Sequence, residues 1–262
     1  MPVSSKKKPS PASRYKGSHG DLVGLKPKGI QGRVINSLGE SIVRGLYPEG
    51  SLLPRESELM RSFDASRTSI REVIKVLSAK GLVETRQKIG TRVLERGNWN
   101  TFDADVLLWH PFDNSGHDIL RDLIEMRQLV EPPAARFAAT RATLDDIELI
   151  RASWEAMHES MDDMQSYAKA DVQFHLAVFR ASHNTMLHRF GHIVANFLQI
   201  SFRIQQEALD TKKNLIEDDC ANHRKIYEAI NRSDAVAAET LMLEVVLHGK
   251  ASLQKARRQM KL

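Results

Sequence analysis

Polar side chains in the second half of the sequence fall where helical spacing predicts buried faces. Asp171 and His175 lie four residues apart, so they share one face of a helix with two apolar neighbours. Arg127 and His223 also fall on apolar stripes, and Glu131 follows Arg127 by one helical turn. Because an unpaired charge is costly to bury, we expect these groups to contact one another inside the protein.

This set of side chains is compatible with a metal site. A carboxylate and imidazoles that converge inside a helical bundle suit a divalent transition metal such as Zn²⁺, Ni²⁺ or Mn²⁺. The candidate ligands are Asp171, His175 and His223, and His248 also falls on an apolar stripe. Arg127 could hold the carboxylate of an anionic ligand through two parallel hydrogen bonds. The alternative is that Asp171 and His175 form a buried hydrogen-bonded pair, or a helix-surface contact, without metal.

Helices must position these groups, because the sequence from Asp118 onward has helical spacing throughout. It contains no alternation of strands and helices and no glycine-rich phosphate loop. The predicted helices lie near 118–131, 132–141, 144–162, 166–182, 185–208, 219–231 and 234–258. Pro132-Pro133 is expected to end or kink the first of them. Thr143 and Ser233 are expected to be N-caps, and Asn184 is expected to stop a helix.

Residues 25–95 have the pattern of three helices followed by a β-hairpin. Apolar residues recur every four positions from Ile30 onward, and Ser66 is a good N-cap for a third helix that runs to about Lys80. The predicted strands are 82–85 and 91–94, and the hairpin tip between them is 87–90. This order predicts a winged helix-turn-helix domain, so the fold class is mainly α.

The third predicted helix separates an apolar face from a basic face, which is typical of a helix that enters the major groove of DNA. Arginine can read guanine with two hydrogen bonds, and hydroxyl groups in the first turn can contact bases or phosphates. The candidate contacts are Arg67, Thr68, Ser69 and Arg71 on this helix, with Lys88 and Arg92 on the wing. The alternative is a basic face that contacts only solvent.

Charge supports this division of the chain of 262 residues. Residues 1–95 contain 18 Lys and Arg against nine Asp and Glu, whereas residues 96–262 contain 20 against 24. The basic first part could therefore contact a polyanion. The segment 1–24 is rich in Ser, Pro, Gly and Lys and is predicted to be a disordered basic tail. The segment 96–115 is predicted to be a linker that docks on the protein through two Trp residues.

Several other functional classes are disfavoured. No apolar segment is long enough to span a membrane, and the basic N-terminus lacks the apolar core of a secretory signal. The single cysteine, Cys220, excludes a disulfide framework and a CxxC zinc module. We therefore expect a protein of the reducing cytoplasm.

Nearly the whole chain, about residues 28–250, resembles the GntR family of transcription regulators. The branch is the FadR-like one, in which a winged helix-turn-helix precedes a helical FCD effector domain. In the first half the matching motifs are 53–59 (LPRESEL), 66–73 (SRTSIREV), 81–83 (GLV) and 90–91 (GT). In the second half they are 125–127 (EMR), 129–132 (LVEP), 171–175 (DVQFH), 181–184 (ASHN) and 223–230 (HRKIYEAI). The implied FCD domain occupies 116–262.

The resemblance implies a homodimeric repressor on a palindromic operator, with a small carboxylic acid bound inside the helical domain, often beside a metal. The metal of the family is held by one Asp and three His. Asp171, His175 and His223 match three of these positions, and Val245 stands at the fourth. His248 lies one turn later and could substitute only if its helix is displaced. The incomplete set could bind metal weakly, complete the site with water, or form hydrogen bonds directly to a polyhydroxy acid.

The same resemblance adds Arg55, Ser66 and Gly90 to the expected DNA contacts. Ser57 stands where many relatives carry Arg, so Arg55 is expected to contact phosphate instead. Lys88 stands where the wing of many relatives has Gly.

The linker motif, which includes 98–100 (NWN), 105–107 (DVL) and Trp109, is similar to that of regulators of sugar-acid operons. It implies an aldonate-like effector.

Two alternatives to a non-enzymatic, ligand-responsive regulator are open at this point. A metal-dependent hydrolase with an attached DNA-binding domain would need an open coordination position and a general base, and no additional acid–base pair stands out. An architectural DNA-binding protein with an unliganded dimerisation bundle would not need the inward-facing Arg127 and histidines.

Overall fold

The computed structural model describes residues 29–110, 119–207 and 213–259. The predicted basic tail, 1–24, lies outside these ranges. Within them, no helix combines the length and the apolar content that crossing a lipid bilayer requires.

The first part of the chain folds as the predicted winged helix-turn-helix. Its helices are α1 (Ile30–Val43), α2 (Glu56–Phe63) and α3 (Arg67–Ala79), and its strands are β1 (Val83–Arg86) and β2 (Gly90–Val93). The strands pair antiparallel with Val83 opposite Val93. A backbone hydrogen bond of 2.8 Å from Leu53 to Thr91 ties the segment before α2 to β2. A further hydrogen bond of 2.9 Å from the Val93 amide to the Ser51 carbonyl anchors the base of the hairpin, whereas residues 87–90 at its tip are exposed.

Local sequence explains why α3 begins and ends where it does. The Ser66 hydroxyl accepts a hydrogen bond of 3.2 Å from the Ser69 amide, which makes Ser66 the predicted N-cap. The face that contains Ile70, Val73, Ile74 and Leu77 is buried. Gly81 follows the helix with a φ of 75°, and the Asn98 carbonyl fills the space that a side chain at this position would need. The end of α3 is therefore packed directly against the segment that leads to the next domain.

The predicted linker, 96–115, contains structure of its own. A 3₁₀ turn (Arg96–Asn98) and helix α4 (Ala104–Trp109) lie within it. Trp99 and Trp109 are buried in the core of the winged helix, whereas Leu107 belongs to a hydrophobic cluster of the helical domain. Residues 111–118 lie outside the described part of the chain. The part of the linker that is described thus contacts both domains.

The second part of the chain is helical, as predicted. Its helices are α5 (Ile119–Arg141), α6 (Leu144–Glu159), α7 (Met164–Ala181), α8 (Thr185–Glu207), α9 (Lys213–Asn231) and α10 (Ala235–Gln259). Helix α5 packs against α7, α8, α9 and α10, and α6 packs against α7 and α9. Helices α5, α7 and α9 therefore surround one region of the domain interior.

The predicted division into helices 118–131 and 132–141 is wrong, because α5 continues through Pro132-Pro133. The two prolines remove two backbone donors from the helix. Residues on both sides of them, including Glu131 and Ala134, are nevertheless buried. Packing of the whole stripe against neighbouring helices outweighs the two lost hydrogen bonds.

Two predicted helix ends also differ. Asn184 does not stop a helix: its side chain accepts hydrogen bonds from the amides of Met186 and Leu187, so it caps the start of α8. Asp234, rather than Ser233, caps α10 by accepting from the Ala237 amide at 3.0 Å. The prediction of Thr143 as the N-cap of α6 is confirmed, since its hydroxyl accepts from the Asp146 amide.

Candidate functional site

The polar side chains on the apolar stripes meet inside the helical domain. Helix α5 carries Arg127 and Glu131, α7 carries Asp171 and His175, and α9 carries His223. All five are buried, with no more than 5% of any residue exposed. We call these five residues the polar cluster. The spacing of four residues on α5 and on α7 places both members of each pair on the same side of the helix.

The contacts within the polar cluster form a chain from α5 to α9. Arg127 pairs with Glu131 through its Nε and Nη2 atoms. Glu131 Oε2 lies 2.6 Å from His175 Nδ1. His175 Nε2 lies 3.4 Å from His223 Nε2, and His223 Nε2 lies 3.2 Å from Asp171 Oδ1. The cluster is thus one connected network.

A second layer of contacts fixes His223. Its Nδ1 atom donates a hydrogen bond of 2.8 Å to the backbone carbonyl of Asp219. The Asp219 side chain accepts a hydrogen bond of 2.7 Å from the Tyr167 hydroxyl. The ring of Phe174 contacts the His223 ring edge to face, with centroids 5.0 Å apart. The ring of His223 is therefore held with Nε2 directed at Asp171 and His175.

The charges of the cluster perturb its pKa values. Burial would raise the pKa of the Glu131 carboxyl, but Arg127 and His175 lower it to about 2. Burial would likewise raise the pKa of Asp171, and contacts with His223 and His175 hold it below its usual range. Burial would lower the pKa of His223, yet Asp219 and Asp171 raise it to about 9. Both carboxyls are therefore ionised at neutral pH.

Asp171, His175 and His223 fit a divalent cation. One potential ligand atom from each lies within 4.8 Å of the others. Asp171 Oδ2 is buried and has no hydrogen-bond partner in the described part of the chain. In proteins, a histidine that ligates a metal through Nε2 is oriented by an acceptor at Nδ1, and His223 has such an acceptor.

His248 does not join this group. It is exposed on α10, where its Nδ1 atom lies 3.4 Å from the side-chain amide of Asn222. Val245, at the position of the expected fourth ligand, is buried in the hydrophobic core. Successive turns of α10 point to different environments, so His248 cannot substitute without a displacement of the helix.

Arg127 was expected to hold a ligand carboxylate through two parallel hydrogen bonds, but in the structure its guanidinium already has a partner. The edge of its guanidinium formed by Nε and Nη2 is occupied by Glu131. Its guanidinium also lies over the Phe197 ring, 5.3 Å from the centroid. Arg127 borders a small cavity that is otherwise lined by apolar side chains, including Phe102 of the linker and Phe190 of α8. Any ligand in this cavity would meet Arg127 at a different edge.

The predicted DNA-contacting residues of α3 and its N-cap lie on one exposed surface. Ser66, Arg67, Thr68 and Arg71 are exposed, and Ser69 is partly exposed. Arg71 Nε lies 3.2 Å from both carboxylate oxygens of Glu56 on α2. The N-terminal half of α3 can therefore present its side chains to a groove of DNA, although Arg71 has a competing partner.

The predicted contacts outside α3 differ in accessibility. Arg55 is exposed at the start of α2, and Lys88 and Gly90 are exposed at the hairpin tip. Lys88 has a φ of 65°, a left-handed conformation that glycine adopts more easily. Arg92 is only partly exposed, and its Nε atom is buried without a hydrogen-bond partner in the described residues. Lys88 is thus more accessible to a partner than Arg92.

Sequence reasoning did not assign a functional role to Glu131 or Asp219. The spacing of four residues after Arg127 was the one sign in the sequence that Glu131 also faces inward. Asp219 could not be found from spacing, because it orients His223 chiefly through its backbone carbonyl.

Comparisons with known proteins agree with both halves of the structure. The family model described as bacterial regulatory proteins, gntR family, matches residues 30–93, and the FCD domain model matches residues 122–248. The Escherichia coli K12 galactonate operon transcriptional repressor is 32% identical over 223 residues, which cover 85% of this chain and 96% of that protein. The HTH-type transcriptional regulator LutR of Bacillus subtilis is 31% identical, covering 77% of this chain and 91% of that protein.

A solved structure shows the same fold at lower identity. It is that of Lar, which controls the expression of the Listeria monocytogenes agr system. It has a TM-score of 0.60 and 20% identity, and the match covers 88% of this chain and 99% of that one. The shared fold, the two domain matches and the curated relatives point to a transcriptional regulator rather than an enzyme. The chain belongs to the GntR family of bacterial transcription regulators, with a C-terminal FCD domain.

Proposed function

We propose that this protein is a repressor that binds a palindromic operator as a homodimer and is released by a small sugar acid such as an aldonate. The polar cluster is the observation that carries the proposal, because a domain needed only for dimerisation has no reason to bury five ionisable side chains. The similarity to a repressor named for a galactonate operon supports a sugar acid as the effector class. We place the domain boundaries at 25–95, 96–115 and 116–262.

The DNA side of the proposal uses the exposed surface of the winged helix. In a homodimer, two α3 helices would enter successive major grooves and read half-sites related by two-fold symmetry. Arg67 and Arg71 would contact base edges, and backbone amides near Ser66 would contact phosphate. The remaining proposed contacts are Arg55, Thr68, Ser69, Lys88, Gly90 and Arg92.

The effector side uses Arg127, Asp171, His175 and His223. With neutral imidazoles, a divalent metal bound by Asp171, His175 and His223 would leave the cluster one net positive charge, because Glu131 offsets Arg127 and Asp171 offsets half of the metal charge. That excess favours a monoanionic carboxylate over a neutral sugar. The buried donors and acceptors would recognise its hydroxyl groups. We propose that effector binding favours a dimer arrangement in which the two α3 helices no longer match the operator spacing.

The test measures release from DNA. The full-length protein selects an operator duplex from a random-sequence pool, and fluorescence anisotropy follows its release by galactonate, other aldonates and fatty acids. We expect an aldonate to release the duplex. The same acid at 100 times its Kd should raise the free energy of unfolding by about 2.7 kcal/mol.

The control compares Asp171→Asn with Asp145→Asn, a change in the exposed first turn of α6. Only the first should abolish the response. If fatty acids release the duplex and sugar acids do not, the proposed effector class is wrong. If no acid releases the duplex or raises the free energy of unfolding, the alternative of an architectural DNA-binding protein is favoured instead.

A further inference from the structure

Glu131 is the most deeply buried member of the polar cluster, together with His223, and it is not among the expected metal ligands. Only 1% of the surface of Glu131 is exposed to solvent. Its carboxylate contacts a cation on its own helix, Arg127, and the His175 ring on α7. Placing a carboxylate here is unfavourable unless both partners are present. The buried carboxylate therefore depends on contacts from both α5 and α7.

The contact with His175 has a consequence for the ring. Oε2 of Glu131 lies 2.6 Å from Nδ1, away from ideal hydrogen-bond alignment, and Nδ1 has no other acceptor among the described residues. A carboxylate next to Nδ1 favours the tautomer that carries its proton there. The lone pair of His175 is then on Nε2, which faces His223 at 3.4 Å and Asp171 at 3.8 Å.

Each of the two imidazole rings is therefore oriented by an oxygen atom next to its Nδ1 atom. His223 is held at Nδ1 by the Asp219 carbonyl, and His175 is held at Nδ1 by Glu131. Both Nε2 atoms are directed toward the same region, next to the unpartnered Oδ2 atom of Asp171. The arrangement orients both rings in advance, so that each Nε2 atom can ligate a metal that displaces any proton it carries.

We propose that Glu131 is a positioning residue that holds the His175 ring with Nε2 toward the centre of the polar cluster, and that Arg127 acts first as the partner that holds Glu131. This inference deepens the proposed function, since it rests on the polar cluster being the site that senses the effector. It assigns the Nε–Nη2 edge of Arg127 to Glu131, so an effector carboxylate cannot bind that edge in two-pronged fashion while the pair is intact.

The first experiment measures metal affinity rather than regulation. Full-length protein treated with chelator is titrated with Zn²⁺ or Co²⁺ in competition with a chromophoric chelator. Glu131→Gln should weaken binding roughly 10–100-fold, the usual effect of losing a carboxylate that orients a ligating histidine, and should change the visible absorption of the Co²⁺ form. The control is Glu239→Gln, which removes an ion pair with Arg136 on the surface and should leave both readouts unchanged. Binding by Glu131→Gln within twofold of wild type would overturn the proposal.

The second experiment needs neither metal nor effector. Long-range nitrogen–proton NMR of ¹⁵N-histidine protein reports which ring nitrogen of His175 carries the proton. We expect the Nδ1-protonated form in the wild type and a shift toward the Nε2-protonated form in Glu131→Gln. An unchanged tautomer would contradict the proposed role. If the wild-type protein binds no divalent metal, this NMR comparison is the test that decides the proposal.

A third variant guards against a failure to fold. Glu131→Asp keeps the charge next to Arg127 but withdraws the carboxylate from His175 by about one methylene group. It should fold and give a smaller change of the same sign in both readouts, and wild-type values in both would overturn the proposal. None of these measurements uses DNA or a sugar acid. A wrong choice of effector would therefore leave their outcome unaffected, and a failed positioning role would leave the release assay unaffected.

Discussion

At the level of single side chains, the cations of α3 differ in their partners. Arg67 makes no ion pair within the described residues, whereas Arg71 is paired with Glu56. Contact between Arg71 and DNA must first break that exposed pair, which by itself is worth about 0–1 kcal/mol. The two arginines are therefore expected to contribute unequally to binding.

This difference leads to a prediction for operator binding. Arg67→Ala should weaken binding by about 1–3 kcal/mol if the side chain reads a base. Arg71→Ala should weaken it by less, because part of the interaction is offset by separation from Glu56. Fluorescence anisotropy with the selected duplex measures both, with a change at an exposed position of α5, Arg136→Ala, as the control. If both variants bind like the wild type, neither arginine belongs to the interface.

Asp146 is the residue at which cap, loop and neighbouring helix meet. Its Oδ2 atom accepts hydrogen bonds from the Thr143 amide and hydroxyl and lies 2.8 Å from His183 Nε2. Burial would raise the pKa of Asp146, but Thr143 and His183 lower it below its ordinary value. A lowered pKa means that the contribution to stability is present above the pKa of the unfolded state and is lost as pH falls through that of the folded state.

We therefore expect Asp146→Asn to lower the free energy of unfolding at neutral pH by about 0.5–2 kcal/mol, the usual range for a helix cap. Urea denaturation monitored by circular dichroism measures the loss. The difference from wild type should shrink as pH falls through the folded-state pKa, because the wild-type carboxyl is then protonated. Asp145→Asn, next to it on the exposed side, provides the control. A difference that stays constant down to acid pH would show that charge is not the source of the effect.

At the level of elements, a buried lysine joins the end of α3 to the linker. Lys80 Nζ lies 2.7 Å and 2.8 Å from the two Asp103 carboxylate oxygens and 2.8 Å from Asp105 Oδ2. Burial would lower the pKa of Lys80, but these carboxylates raise it above its ordinary value. Phe102, next to Asp103, contacts Phe190 of α8 with ring centroids 5.9 Å apart. The linker is thus attached to both the DNA-binding domain and the effector domain.

Removal of this lysine should be costly. Lys80→Met leaves Asp105, which is 5% exposed, without its cation, and we expect a loss of about 3–5 kcal/mol in the free energy of unfolding. Adding Asp103→Asn and Asp105→Asn to the same variant should restore part of the stability. Because the folded-state pKa is raised, the wild-type advantage should be complete below the ordinary pKa of lysine and disappear as pH rises through the folded value. A loss below about 1 kcal/mol in urea denaturation would contradict a structural role for the pair.

The elements also show what sequence patterns could and could not predict. Local patterns were sufficient where the cause is local: Ser66 caps α3 through an amide three residues away, and the apolar stripe of that helix is buried. Pro132-Pro133 misled, because the continuity of α5 depends on packing against distant helices. Asn184 misled because the same amide side chain is compatible with either end of a helix, and only the neighbouring backbone decides.

The same limits apply to the polar cluster. The spacing of Asp171 and His175 predicted that they face inward. The high cost of burying an unpaired charge predicted that they contact other polar groups. Spacing did not predict that Arg127 would be occupied by Glu131, since this depends on which rotamers fit among α5, α7 and α8. The exposure of His248 was also unpredictable from spacing, because the buried stripe of α10 continues from Met242 through Val246 to Leu253 and leaves His248 outside it.

At the level of the whole molecule, the two functional regions are connected by a continuous series of contacts. Lys80 directly follows α3 and pairs with Asp103 of the linker. The linker contacts α8 through Phe102, and Phe197 of α8 lies over Arg127 of the polar cluster. The cavity beside Arg127 is bordered by Phe102 as well. A ligand that moved Arg127 or α8 would thereby disturb the segment that supports α3, and we expect any coupling between the two regions to follow these contacts.

Gly39 on α1 sets the closeness of this arrangement. The six-membered ring of Trp109 occupies the space where a Cβ atom at residue 39 would lie. The seam between α1 and α4 is thus defined by a missing methyl group, and even alanine would separate the two helices. Because α4 also contacts α8, this seam links the packing of α1 to that of the helical domain. Any side chain at residue 39 would displace Trp109 and so loosen that link.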